Sequence, residues 1–160
     1  MKRWMALLGV VLAAGVVLAG CGSSGGDEQA VDLESFWTEE LSKYQWGDGY
    51  FAELDEEMTE NYYPGLQDVP AEQRIIQVPM MSAVVNEYVF MECRTEEDAG
   101  QAAEILQKRV DDQADGGAWY PESMESWKQA QVITQGRYVA MIASAEAQEA
   151  IAGDFNALFA

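Results

Sequence analysis

Hydrophobic residues recur every three or four positions in two stretches of the first half of the chain. The first stretch predicts a helix over 32–44 that Asp32 can cap. Its apolar side holds Leu33, Phe36, Trp37, Leu41 and Tyr44, and its charged side holds Glu39, Glu40 and Lys43. A glycine-rich turn at 45–50 precedes the second stretch, which predicts a more acidic helix over 51–62. The turn Pro64-Gly65-Leu66 ends that helix.

The middle of the chain changes to the period of two that is typical of strands. Residues 75–81 predict a short strand, whose Pro79 favours an edge position or an irregular end. Residues 83–94 predict the most distinct strand, which is rich in Val, Tyr and Phe. One face carries Val85, Val89, Met91 and Cys93 with Glu87, and the other carries Val84, Tyr88 and Phe90 with Asn86 and Glu92. Because neither face is cleanly polar, the pattern indicates cover on parts of both faces.

The second half of the chain predicts a helix, a hairpin and a final helix. Thr95 begins the first of these helices. Asp98 follows three residues later, a spacing that is close to a capping box, and the helix extends to about Asp112. The later elements are a loop at 116–121, a helical turn at 122–129, a hairpin of 130–134 and 137–143 around Gln135-Gly136, and a helix at 144–159 capped by Ser144.

The order of these elements, ααββαββα, predicts a single α+β domain. We expect a four-stranded, mostly antiparallel sheet with helices packed mainly on one face. A chain of 160 residues is long enough for one such domain with a sizeable core and too short for two.

The segment before the first helix has the three-part layout of a secretory signal peptide. Lys2 and Arg3 precede an apolar run over 4–19, and small residues lead into Leu18-Ala19-Gly20-Cys21, the cleavage and lipidation pattern of bacterial lipoproteins. We expect Cys21 to carry a diacylglyceryl group with palmitate-type chains, attached through a thioether. The alternative is a retained transmembrane helix, but the run is shorter than the roughly 20 residues that a spanning helix needs.

This leader divides the chain into three parts. Residues 1–20 are the predicted signal peptide, 21–31 the lipidated cysteine with a flexible acidic Gly/Ser tether, and 32–160 the globular domain. Two acyl chains hold a protein firmly, at about 0.8 kcal/mol per buried methylene. We therefore predict attachment by lipid to the extracytoplasmic face of the cell membrane.

Charge disfavours several classes of partner. The chain holds 28 acidic and 9 basic residues, for a formal net charge of −19, and loss of Lys2 and Arg3 with the leader makes it more negative. Nucleic-acid binding and adhesion to anionic lipid are disfavoured, because both need clustered Lys and Arg. A cationic partner, a divalent metal or simple solubility stay open.

Histidine is absent and cysteine is scarce. The absence of histidine excludes Ser-His-Asp triads, Cys-His dyads and nearly every catalytic zinc site. Once Cys21 is lipidated, Cys93 has no partner for an intramolecular disulfide, so stability must come from packing. We expect Cys93 to be a small core residue, because the adjacent Arg94 points to the opposite face of its strand.

Two turns and the carboxyl terminus resemble a known family. Tyr63-Pro64-Gly65-Leu66, Gly117-Ala118-Trp119-Tyr120-Pro121-Glu122 and Phe155-Asn156-Ala157-Leu158-Phe159 are similar to segments of small lipoproteins from Gram-positive bacteria that contain a domain of unknown function. The resemblance covers the chain from about Leu33 to Phe159. It implies a membrane-anchored, extracytoplasmic location, and it implies no reaction, cofactor or catalytic residue.

The acidic segment 111–122 fits the spacing of a calcium-binding loop between two helices. The ligand positions would be Asp111, Gln113, Asp115, the Gly117 carbonyl and a bidentate Glu122, with Gly116 at the sharp turn. The glutamine, together with Ala118 and Pro121, departs from the usual pattern. The alternative is a helix end capped by glycine and followed by an aromatic loop.

Aromatic residues in predicted loops form a second candidate site. Trp46, Tyr50, Trp119 and Tyr120 could make an exposed platform for a sugar, a peptide or a protein partner. The alternative is that they pack over the ends of the sheet.

Carboxylates supply the remaining candidate chemistry. Glu56, Glu57, Glu87 and Glu92 could include a pair for glycoside hydrolysis, although their spacing gives no support. The sequence favours a membrane-anchored, extracytoplasmic, non-enzymatic binding or accessory module without a cofactor, which contacts an unknown protein or small ligand. The alternatives are a calcium-binding module using Asp111–Glu122 and a carboxylate-based hydrolase.

Overall fold

The computed structural model describes residues 30–44, 46–81 and 83–160. Val31–Ala160 form one compact unit. The predicted leader, the predicted lipidation site Cys21 and the tether up to residue 29 lie outside the described residues, as does Gln45 of the predicted glycine-rich turn. Among the described helices, none has the length and apolar character needed to cross a bilayer.

The described residues form five α-helices and five strands. The helices are α1 (Leu33–Tyr44), α2 (Glu56–Tyr62), α3 (Glu96–Asp112), α4 (Pro121–Trp127) and α5 (Gln148–Ala157). The strands are β1 (Phe51–Glu53), β2 (Ala71–Pro79), β3 (Asn86–Cys93), β4 (Gln131–Gln135) and β5 (Tyr138–Ser144). Their order along the chain is α1-β1-α2-β2-β3-α3-α4-β4-β5-α5. A short 3-10 turn at Leu66–Asp68 follows α2, and a π-helical turn at Gln113–Gly117 extends α3. The predicted α+β class is confirmed.

The strands form one antiparallel sheet in the order β1-β2-β3-β5-β4. The hairpins β2-β3 and β4-β5 supply four of the strands, and β3 lies beside β5 in the middle of the sheet. The second hairpin turns where the sequence predicts, with Gly136 at a φ of 56°. Glycine adopts this left-handed conformation without the steric cost of a side chain.

The prediction of four strands is wrong, because β1 lies within the region predicted as the second helix. β1 pairs with the last three residues of β2. The chain then leaves the sheet, and Asp55 caps α2 by accepting a hydrogen bond from the Met58 amide at 2.8 Å. Three residues are too few to reveal a period of two, so the helical spacing that follows them dominated the pattern.

Helices cover both faces of the sheet, which corrects the prediction that they pack mainly on one. The face that carries Val89 and Met91 of β3 packs against α2, α3 and α4. The face that carries Tyr88 and Phe90 packs against α1 and α5. All four of these β3 side chains are fully buried. Periodicity describes one helix at a time, so it did not show that α1 and α5, at opposite ends of the chain, share a face.

Helix capping follows the prediction at two helices and differs at a third. Asp32 at α1 and Thr95 at α3 each accept a hydrogen bond from the backbone amide three residues further on, at 2.9 and 3.1 Å. Ser144 is instead the last residue of β5, so it is not the predicted cap of the final helix. Its hydroxyl accepts a hydrogen bond from the Ala147 amide at 3.0 Å, and α5 begins only at Gln148.

One residue of α1 departs from the predicted separation of apolar and charged sides. Glu40, which was expected on the charged side, is fully buried, and the Lys43 ammonium lies 2.7 Å from its carboxylate. Lys43 also lies 2.9 Å from Asp154 of α5. Burial raises the pKa of the Glu40 carboxyl, and the hydrogen bond from Lys43 opposes that rise. These contacts join the two helices that cover this face.

Adjacent residues of β3 test whether both faces of the sheet are covered. We expect Phe90→Ala to lower the free energy of unfolding by about 3–5 kcal/mol and Met91→Ala by about 2–5 kcal/mol, because each deletion leaves a cavity in a packed layer. Urea unfolding of the two variants measures both values. A loss below about 1 kcal/mol at either position would mean that its face is not packed as described.

Candidate functional site

Two buried glutamates of β3 lie on opposite faces of the sheet. Glu87 and Glu92 are an odd number of positions apart, and neighbouring residues of a strand point to opposite faces. Each carboxylate forms its own ion pair, Glu87 with Arg109 of α3 and Glu92 with Arg137 in the turn before β5. The structure therefore does not bring these two carboxylates together, and Glu56 and Glu57 are exposed on α2.

Glu87 is the centre of a buried polar cluster. Two guanidinium nitrogens of Arg109 each donate to its carboxylate at 2.9 Å, and the Tyr63 hydroxyl donates at 2.6 Å. Burial alone would lower the pKa of Arg109, but the hydrogen bond and the charge of Glu87 raise it overall. Burial also raises the pKa of Tyr63 well above its usual value. The cluster is fully paired and links α3 and the end of α2 to β3.

Aromatic rings surround the arginine of this cluster. The Arg109 guanidinium carbon lies 4.5 Å from the centre of the Tyr62 ring and 5.4 Å from that of Trp127. Cation–π contacts of this kind strengthen when the charge is shielded from water. The arginine thereby connects α2 and α4 to the ion pair on β3.

Glu92 has a corresponding set of partners on the other face. Arg137 lies 2.5 Å from its carboxylate, the Tyr138 hydroxyl donates at 3.0 Å, and the Gln73 amide donates as well. The same Gln73 amide group donates to the Val31 carbonyl at 2.7 Å. Glu92 therefore helps to hold the start of the compact unit against the sheet.

The five predicted calcium ligands are spread over three elements. Asp111 lies in the last turn of α3, Gln113, Asp115 and Gly117 lie in the π-helical turn, and Glu122 lies in the first turn of α4. Residues two positions apart on a helical backbone project to nearly opposite sides. Across the described ranges, no group of three Asp, Glu, Cys or His residues is placed to hold a metal ion.

The predicted aromatic platform separates into two pairs. Trp46 and Tyr50 are half-buried, and their rings stack with centroids 6.1 Å apart. The Trp46 ring also lies 6.0 Å from that of Trp37 and 5.8 Å from that of Tyr88. The Tyr50 hydroxyl accepts a hydrogen bond from the Asn86 amide at 2.7 Å. This pair belongs to the aromatic packing over one face of the sheet.

Trp119 and Tyr120 form the second pair, and they face solvent. Trp119 is 88% exposed and Tyr120 49% exposed, in the loop that leads into α4. Large aromatic side chains that leave this much surface in water are candidates for contact with a partner.

Two further exposed apolar side chains belong to methionines that the sequence analysis did not single out. Met80 is 66% exposed and Met81 62% exposed, in the loop between β2 and β3. The Ser123 hydroxyl of α4 lies 3.5 Å from the Ala83 carbonyl, which places the loop before α4 at the same end of the sheet. We name Met80, Met81, Trp119 and Tyr120 the apolar rim. Two methionines directly after the proline that ends a strand are a signal that could have been noticed.

Cys93 offers no reactive thiol. It is fully buried, and this burial raises the pKa of its thiol to about 11. The thiol is therefore protonated at neutral pH, as expected of a small core residue.

The part of the chain that forms the sheet matches a known protein family. Residues 48–144 match the family described as a domain of unknown function (DUF4358). The chain belongs to this family. The DUF4358 match includes all five strands, the buried glutamates of β3 and the apolar rim, whereas α1 and α5 lie outside it. No curated protein and no solved structure shows significant similarity to the chain.

The buried ion pair of Glu87 and Arg109 predicts a large loss of stability when one partner is neutralised. We expect Glu87→Gln to lower the free energy of unfolding by about 3–5 kcal/mol, because it leaves the buried Arg109 without a counter-charge. Glu125→Gln, which breaks an exposed pair with Lys128, is the matched control and should cost less than about 1 kcal/mol. Equal losses in urea unfolding would contradict a structural role for the buried pair.

The helical backbone over residues 111–115, with a left-handed turn only at Gly116, predicts that calcium does not stabilise the fold. A site of millimolar affinity would add about 1 kcal/mol at about 5 mM calcium, which raises Tm by about 2–4 °C. We expect no rise in thermal melts at matched ionic strength. A rise that Asp115→Asn abolishes would contradict this expectation and restore the calcium-binding alternative.

Proposed function

We propose that this DUF4358 protein is a lipid-anchored, extracytoplasmic binding module that contacts a partner protein through the apolar rim. The observation that supports this proposal most is the exposure of Trp119, at 88%, together with the exposure of Tyr120, Met80 and Met81. Large apolar side chains that are exposed at the surface are candidates for contact with a partner protein. Tryptophan and tyrosine are also the residues that contribute most to binding at protein interfaces.

The pairing of the buried charges supports a binding role over catalysis. Glu87 and Glu92 are each held by an arginine and by at least one tyrosine hydroxyl. Groups that are fully paired inside the fold contribute to structure, while a catalytic acid or base has to reach a substrate. Their burial next to helices and strands is consistent with this structural role.

The position of the first described residues supports attachment at the end of the sheet opposite to the apolar rim. The Val31 amide donates to the Tyr138 hydroxyl at 3.1 Å, where β2 and β5 begin. The rim lies where β2 ends and β3 begins. The net negative charge would also repel an anionic bilayer surface.

Photo-cross-linking in the native cell envelope tests this function. A photoreactive phenylalanine analogue at Met80 should form an adduct with one partner protein, and Trp119→Ser with Tyr120→Ser should abolish that adduct. The analogue at Met58, an exposed apolar residue of α2, is the positional control. The same adducts at both positions, or an adduct at Met80 that survives the double variant, would contradict the proposal.

Mass spectrometry of the membrane-extracted protein tests the proposed address separately. We expect the chain to begin at Cys21, with a diacylglyceryl group attached to its sulfur through a thioether. Cys21→Ser should release the protein from the membrane fraction. A retained leader or an unmodified Cys21 would contradict the proposed lipid anchoring without deciding whether the apolar rim binds a partner.

A further inference from the structure

One edge of the sheet is only partly paired. β1 covers the last three residues of β2, and the chain then turns away into α2. Among the described residues, no strand pairs with residues 71–76 of β2 on the side away from β3. An open sheet edge presents backbone donors and acceptors that can pair with another chain.

The register of β2 identifies which backbone groups face this open edge. The Met80 amide donates to the Tyr50 carbonyl, on the side away from β3. The Pro70 carbonyl accepts from the Arg94 amide across the β2-β3 pair, but a register shift between Ala71 and Gln73 reverses the alternation between Pro70 and the rest of β2. Hydrogen-bonding direction alternates along an antiparallel strand. The N–H and C=O groups of Arg74 and Ile76 therefore point away from β3, toward the position that a continued β1 would occupy.

This edge forms the floor of a groove of about 320 Å³. Glu34 of α1, Glu53 of β1 and Glu56 of α2 line it, and none of these carboxylates has an ion-pair partner within the described residues. The Arg74 guanidinium donates to the carbonyls of Leu66 and Val69, at 3.1 and 2.8 Å. The groove thus combines unpaired backbone groups with three carboxylates and the Arg74 guanidinium, so its net charge is negative.

We propose that this groove binds an extended, lysine- or arginine-bearing segment of a partner protein by adding a strand beside β2. The added segment would exchange backbone hydrogen bonds with Arg74 and Ile76, and its basic side chains would meet Glu34, Glu53 and Glu56. In strand addition of this kind, main-chain hydrogen bonds provide the affinity and side-chain contacts provide the selectivity. The site lies on a different part of the molecule from the apolar rim and does not depend on it.

The negative charge of the chain and of the groove favours a basic segment over a second copy of the chain as the binding partner. Each copy carries a net charge of −19, and the groove itself is lined by carboxylates. Two such edges would bring like charges together, which opposes association. A basic segment gains from the same field, because attraction between unlike charges speeds encounter and favours the correct partner.

An octapeptide of alternating lysine and valine, acetylated and amidated at its ends, is the probe. We expect it to bind the full chain in fluorescence polarisation, and we expect a glutamate-for-lysine version not to bind. Methylating the backbone nitrogens along one edge of the peptide preserves its charge and removes its donors, so this version should bind at least about tenfold more weakly.

Amide hydrogen exchange locates the bound probe. The amides of Arg74 and Ile76 should exchange more slowly when the probe is bound. The amides of Gln73, Ile75 and Gln77 already face β3, so their exchange should change little. Only pairing along the open edge of β2 produces this alternation.

Charge reversal separates the groove from the general charge of the chain. Glu34→Lys with Glu53→Lys should weaken probe binding at least about tenfold. Glu104→Lys with Glu122→Lys makes the same change in net charge at exposed sites outside the groove, again with one residue in the first turn of a helix. This control should alter binding by no more than about twofold, since separated surface charges are screened by salt.

Several results would overturn the proposal. Absence of probe binding at millimolar concentration would exclude strand addition. Equal binding of the methylated peptide would mean that the interaction depends on charge and not on backbone hydrogen bonds. Equal weakening by both charge reversals would exclude the groove. A further contradicting result would be protection of the Arg74 and Ile76 amides at high protein concentration without the probe, while sedimentation shows a dimer. This result would identify a second copy of the chain, and not a basic segment, as the partner at the open edge.

Discussion

Burial of the central strands on both faces is the constraint on which the rest of the structure depends. β3 is buried along its whole length, and so is its neighbour β5. Antiparallel sheets commonly expose one face to water, whereas this sheet has a helical layer on each side. Every helix must therefore offer an apolar side to the sheet. Polar groups that enter the two layers need partners inside the fold.

Two ion pairs meet that requirement, one on each face of β3. Glu87 is held by Arg109 among aromatic rings, and Glu92 is held by Arg137 and Tyr138. The two residues were among four carboxylates considered for a catalytic pair, but they lie on opposite faces of the sheet and each is paired within its own layer. The surface features that we propose for function are the apolar rim and the open edge of β2.

The sequence predicted those features of the fold that depend on local patterns. The two faces of β3, the hairpin at Gly136 and the caps Asp32 and Thr95 all follow from residues close together in the chain. Features that depend on distant contacts were not predictable in this way. Glu40 is buried because α5 packs beside α1, and β1 forms because β2 offers it a partner. The aromatic residues of loops were identified, but their exposure depends on tertiary packing, so Trp46 and Trp119 have opposite environments.

The extent of the DUF4358 match allows the double-sided packing to be tested directly. Residues 48–144 contain the whole sheet and the helices of one face, but they lack α1 and α5, which cover the other. Urea unfolding and hydrophobic-dye binding should be compared for residues 48–144 and residues 31–160. The account predicts a cooperative transition for the longer chain, and dye binding without a cooperative transition for the shorter one. An equally cooperative transition in residues 48–144 would contradict it.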